Sequence, residues 1–267
     1  MKSTVWDWCG RRLLPAYFAL MLAYLVVPLL IVFPLSFSDT TYLVFPPRGF
    51  TWRWYAEILQ NPAWLDAFYR SLALGGLTAI CTTFLGTLAA SAIARLPTRS
   101  GHVLAGAFLV PQVVPAVIIA LGAFLFLNAI GFLGTFSGLL VMHVMMAMPL
   151  VVMTMSAALK QMGQAQVKAA RVLGATPLKA FRYVTLPTIA PSLAVSGVFA
   201  FLISFDELVV TLFISGNHPT MPVRIWADVR QQLTPVVPAA VTVLTVIALA
   251  VAIPIEAYRY RASKRET

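Results

Sequence analysis

Apolar residues in this chain come in long unbroken runs, with the polar residues gathered between them. Six runs hold the roughly 20 mostly apolar residues that a bilayer-spanning helix needs: 13–37, 67–94, 103–127, 135–159, 191–214 and 236–257. The pattern predicts an all-α integral membrane protein whose six transmembrane helices form a single domain over 1–267. The first run follows Arg11 and Arg12 but is too long for a signal peptide, and no small-residue cleavage site follows it, so it is read as an uncleaved span. No internal repeat or low-complexity tract interrupts the series.

Composition agrees. The chain is 60% hydrophobic and only 10% charged, with a mean hydropathy of +0.86, against about 25% charged residues in soluble domains. Most of its 19 Lys and Arg lie before the first run, after the second, after the fourth and after the last, where the positive-inside rule places them in the cytoplasm together with both termini. The net charge of +10 would suit nucleic acid, but basic residues beside membrane spans are already explained by topology and anionic lipid, so no nucleic-acid partner is expected. Cys9 and Cys81 have neither disulfide nor metal spacing.

The connection over 160–190 is longer than a link between two spans requires. It carries Lys160, Lys168, Arg171, Lys179 and Arg182 and no acid. Residues 164–173 favour a helix that Gly174 ends, and Thr176 with Pro177 makes an N-cap and first position for a second. Physics alone leaves two readings open: an amphipathic connector on the lipid surface, or a docking site for another protein.

The spacing of Ala169, Ala170, Gly174, Val184, Leu186 and Pro187 resembles the EAA loop of permease subunits from bacterial ABC importers. Lys168 stands where that family usually has Glu, which changes the charge of the contact. Further segments are similar to the spermidine/putrescine permease branch: Phe45-Pro46-Pro47, Gly49-Phe50-Thr51, Arg53-Trp54-Tyr55, His143, the run Ser204 to Val210, and Met221 to Trp226. The resemblance implies a type I ABC importer permease fold that forms half of a pore. It implies as partners an ABC ATPase subunit dimer, a second and different permease subunit, and a periplasmic solute-binding protein. It also implies ATPase coupling through Lys168, Ala169, Ala170, Arg171, Gly174, Ala175, Leu186 and Pro187.

Asp206 and Glu207 stand side by side within the fifth run. An acid near the bilayer centre costs on the order of 2.5–3.5 kcal/mol on insertion scales and therefore usually faces a cavity or a partner. On one continuous helix, steps of three and four from Glu207 give Ser192, Ser196, Ala200, Ser204, Thr211 and Ser215, a small and polar stripe. Steps from Asp206 meet apolar residues such as Phe199, Leu202, Ile203 and Phe213. The stripe marks a water-filled path or a close helix contact, so Glu207 ranks first as a pathway acid, with Asp206 at its edge and Ser204 and Thr211 beside it. The competing reading is that the acids bond to neighbouring helices and fix packing.

Other features change the picture less. Trp52, Trp54, Tyr55 and Trp64 place 51–60 along the outer interface as an anchoring helix. Arg224, Trp226, Asp228 and Arg230 are candidates for binding-protein docking or an outer gate. His143 reads as a satisfied core histidine, and the methionines around it as packing rather than a metal site. No nucleotide-binding, nucleophile-elbow or metal-ligand spacing is present, so neither catalysis nor a cofactor is expected, and energy must come from a partner.

The reading is an inner-membrane ABC permease subunit for putrescine, spermidine or a related small cation. The alternatives are an ABC permease for another solute, such as an amino acid derivative or opine, and a proton-coupled secondary transporter using Asp206 and Glu207.

Overall fold

The computed structural model describes residues 4–163 and 165–263, with side chains described for 13–163 and 165–250. Lys2, Gln164, Lys264 and Arg265 lie outside the described residues, as do the side chains of Cys9, Arg11, Arg12, Arg259 and Arg261. The backbone is helical: α1 (Thr4–Leu35), α2 (Arg53–Gln60), α3 (Pro62–Ile93), α4 (Thr98–Val113), α5 (Ala116–Ala129), α6 (Phe136–Met162), α7 (Ala165–Val172), α8 (Pro177–Ala180), a π turn (Phe181–Thr185), α9 (Leu186–Asp206), α10 (Val209–Ile214), α11 (Met221–Gln231) and α12 (Val236–Ser263).

Among the described residues, four helical segments are long and apolar enough to cross a membrane: Leu13–Leu35, Pro62–Ile93, Phe136–Met162 and Pro177–Asp206. The run at 103–127 is not one straight span. It is divided into α4 and α5, which meet at 96° around Val114 and Pro115, where proline withholds its N–H and drives the preceding residue out of the helical region. The apolar part of α12 described here is Val236–Ala250.

The chain forms two compact units. One comprises residues up to Pro62 together with Ile225 onward; there α12 packs on α1 and α2. Outside α1, Phe37 stacks on Phe50 with ring centroids 4.9 Å apart and meets Trp52 edge-on. The Trp54 indole N–H donates to the Ser38 carbonyl at 2.7 Å, and the Ser36 and Tyr55 hydroxyls are 2.6 Å apart. These bonds fasten the segment after α1 onto α2.

The other unit, Ala63–Arg224, is built on α3, α6 and α9. The buried face of α3 carries Trp64, Leu74 and Ile93 together with Ala67, Ser71, Gly75, Thr78, Thr82, Gly86, Thr87 and Ala90, while Leu72, Leu77, Ile80, Phe84 and Leu88 are exposed. This inverts the soluble-protein pattern, because in lipid small and hydroxyl-bearing faces allow close helix approach and apolar faces meet the acyl chains. At Gly86 a Cβ would come within 2.6 Å of Val151 Cγ1 on α6. α6 begins at Thr135, whose hydroxyl accepts from the Gly138 N–H at 3.0 Å, and a Cβ on Gly138 would collide with the Phe132 carbonyl.

Gly86→Ala is expected to lower stability by about 1–3 kcal/mol through overpacking against a side chain stiff at χ1. Adding Val151→Ala should recover part of the loss; thermal unfolding of the detergent-purified protein checks both.

Candidate functional site

The site grows from a break in a membrane helix. α9 ends at Asp206, and Glu207 leaves the helical region at φ −71°, ψ 110°. α10 then starts at Val209. Neither Gly nor Pro lies between Asp206 and Val209; Glu207 makes the break itself. It lies just before Leu208, the N-cap of α10, and its carboxylate Oε1 accepts from the Val210 N–H at 2.8 Å, satisfying an otherwise orphaned donor of the new helix. The Thr211 hydroxyl donates to the Glu207 carbonyl at 3.0 Å.

The break changes the order of the two acids. The stripe from Ser192 to Ser215 presumes one continuous helix, and the chain does not provide it. Glu207 is half-buried and committed to capping α10. Asp206 is exposed, and no hydrogen bond or ion pair of its side chain is found among the described residues. Asp206, not Glu207, is therefore the uncommitted carboxylate, and it sits at the C-terminal end of α9, where the helix dipole adds partial negative charge.

Ser204 and Thr211 are also placed differently from the expected pathway. Both are buried, Thr211 completely, and they converge on His143 of α6. His143 Nδ1 lies 2.7 Å from Ser204 Oγ and Nε2 lies 2.9 Å from Thr211 Oγ1. Each ring nitrogen thus meets a hydroxyl oxygen, Ser204 on one side of the break and Thr211 on the other. The Ser204 and Thr78 hydroxyls are 3.3 Å apart, joining α3 to the cluster. Ser196 and Ala200 of the same stripe are buried too, and α9 packs along α6. The small, polar face is thus a close helix contact.

His143 is the satisfied core histidine expected from the sequence, and its bonds cross to other helices; its two partners, hydroxyls seven positions apart on either side of the acids, were not paired with it from sequence.

The basic connection is a separate surface. α7 has no buried residue; Lys168, Ala169 and Arg171 are exposed, and Ala170 is half-buried. Gly174 turns the chain at φ +88°, a conformation that side chains with a Cβ resist. The Thr176 hydroxyl accepts from the Lys179 N–H at 3.3 Å, and Pro177 occupies the first turn of α8. Val172 and Leu173 are each 87% exposed and Leu178 75%, so apolar and cationic side chains share one outward surface. Ala175 and Leu186 are half-buried and Pro187 is exposed. In the π turn the Leu186 N–H donates to the Phe181 carbonyl, five residues back, and this widened turn directly precedes Pro187, whose ring would otherwise press on the carbonyl four residues before it.

On α11, the Arg224 guanidinium lies over the Trp64 ring at 5.4 Å and Arg230 over Trp226 at 5.1 Å. The Met221 N–H donates to the buried Ser71 hydroxyl at 2.7 Å. Asp228 is half-buried beside them in sequence. No cluster of three or more metal-ligating side chains occurs among the described residues.

Comparison with known proteins gives these features a context. The model of the family described as "Binding-protein-dependent transport system inner membrane component" matches residues 82–260. The chain is 29% identical over 245 residues to the spermidine/putrescine transport system permease protein PotC of Escherichia coli (strain K12), covering 91% of this chain and 92% of that protein. It is 32% identical over 230 residues to the putrescine transport system permease protein PotI of the same strain, covering 83% and 81%. Its fold matches a chain in the crystal structure of a bacterial ABC transporter involved in the import of the acidic polysaccharide alginate, with a TM-score of 0.70, 16% identity, and coverage of 97% and 98%. The fold is the type I importer permease fold, and the relatives are transport permeases, not enzymes. The chain belongs to the family of inner membrane components of binding-protein-dependent transport systems.

Proposed function

We propose that this chain, as a single permease domain, forms one half of the pathway of an ATP-driven importer for a polyamine such as putrescine or spermidine, or a related small cation. The observation that carries this reading is Asp206. A carboxylate exposed within a membrane span is tolerated where it faces a cavity or a partner subunit rather than lipid, and in a pathway it attracts ammonium groups and repels anions. The printed names of the relatives, spermidine/putrescine and putrescine permeases, support the same cargo. The solved neighbour, from a transporter involved in the import of an acidic polysaccharide, shares the fold alone.

The remaining surfaces take the roles that such an importer needs. The exposed basic and apolar surface of 163–183, together with Leu186 and Pro187, receives an ATPase subunit dimer. A second, different permease subunit completes the pathway. Arg224, Trp226, Asp228 and Arg230 meet the periplasmic binding protein or gate the outer mouth, and both termini lie in the cytoplasm.

Putrescine uptake by transporter-deficient cells carrying the whole complex tests the cargo. Asp206→Asn should reduce uptake roughly ten- to hundredfold at matched assembly, the range for losing one charged hydrogen bond, whereas Glu207→Gln, which keeps an oxygen for the Val210 N–H, should lose less. Wild-type uptake in Asp206→Asn would remove the acid from the pathway. Separately, Lys168→Glu combined with Arg171→Glu is expected to lower ATPase co-purification as the loop's charge is reversed. Unchanged recovery of the ATPase over a salt series would place its contact elsewhere.

A further inference from the structure

The break in α9–α10 exposes backbone groups that a continuous helix would pair, and an unpaired amide or carbonyl in the bilayer costs several kcal/mol. Glu207 and Thr211 meet two of these groups, and one side chain from another helix bridges the two sides of the break. The His143 imidazole reaches Ser204, in the last turn of α9, with one nitrogen and Thr211, in the first turn of α10, with the other. It is 1% exposed. Among the described residues its side-chain hydrogen bonds run to those two hydroxyls: Thr211 leads on to the break, bonding the Glu207 carbonyl while Glu207 accepts from the Val210 N–H, and Ser204 leads to Thr78 of α3.

We propose that His143 is a positioning residue: by bridging Ser204 and Thr211 it fixes the angle between α9 and α10 and thereby the direction in which Asp206 presents its carboxylate. This deepens the pathway reading above and rests on it for its meaning in transport, though not for its geometry. An imidazole suits the task because its two nitrogens diverge from a rigid ring. A primary amide of similar size presents both polar atoms at one end and can serve only one of the two hydroxyls at full strength.

The test uses the intact complex with Cys9 and Cys81 replaced by Ser and Asp206→Cys as a reporter, labelled with a cationic, membrane-impermeant methanethiosulfonate. Introducing His143→Leu, Ser204→Ala or Thr211→Val should change the labelling rate at 206 by roughly fivefold or more, the ratio that one neutral hydrogen bond commands. His143→Gln, which keeps one donor, should fall between. A purely structural role would reduce the amount of assembled complex and leave the rate of the surviving complexes untouched. If His143→Leu does not assemble, the two hydroxyl deletions, each nearly isosteric, carry the measurement. Equal rates in both hydroxyl deletions overturn the proposal. Putrescine uptake by Asp206→Asn fails or holds independently: normal uptake with altered labelling removes the pathway role and keeps the positioning role, and the converse removes only the latter.

Discussion

Inside a bilayer no water is available to satisfy a backbone amide or carbonyl, and this requirement governs the break between α9 and α10. A helix may be interrupted there only if side chains replace the lost bonds. Between Asp206 and Val209 the replacements are specific: the Glu207 carboxylate on the Val210 N–H, the Thr211 hydroxyl on the Glu207 carbonyl, and the His143 ring behind Thr211 and Ser204. With that cluster in place, one acid is consumed as structure and its neighbour is left free. Two chemically similar carboxylates thus acquire different surroundings from a single change of backbone direction.

The seam beside the break follows from the same solvent. Lipid gives no hydrophobic reward for burying leucine against leucine, and where α3, α6 and α9 meet, glycine, alanine, serine and threonine stand beside Val151, Met155 and Ile189. Gly86 against Val151 and Gly75 against Phe201 bring helices together more closely than larger residues would allow, and that closeness puts Thr78, His143 and Ser204 within reach of one another.

Much of this was legible in the sequence, and the limits are physical. The apolar runs at 67–94 and 135–159 coincide closely with α3 and α6, and Thr176-Pro177 announced a helix start because both residues act locally. The division of 103–127 had its cause in plain view at Pro115, but a 96° bend depends on what packs around it. The break at Glu207 was invisible, since neither Gly nor Pro marks it and its partners lie on α6. The small, polar stripe left two readings open, because the same residues that would line water also line a tight helix contact, and only the placement of α6 bears on the choice.

The π turn ahead of α9 also matters for how the chain is read. Its extra residue puts the segment before it out of helical phase with α9 by about 100°. Residues of α8 and of α9 that look co-facial on a helical wheel drawn through 177–206 therefore point in different directions. A single-residue deletion within Phe181–Thr185 would restore the wheel and, in doing so, turn the exposed basic and apolar surface before it away from its present heading.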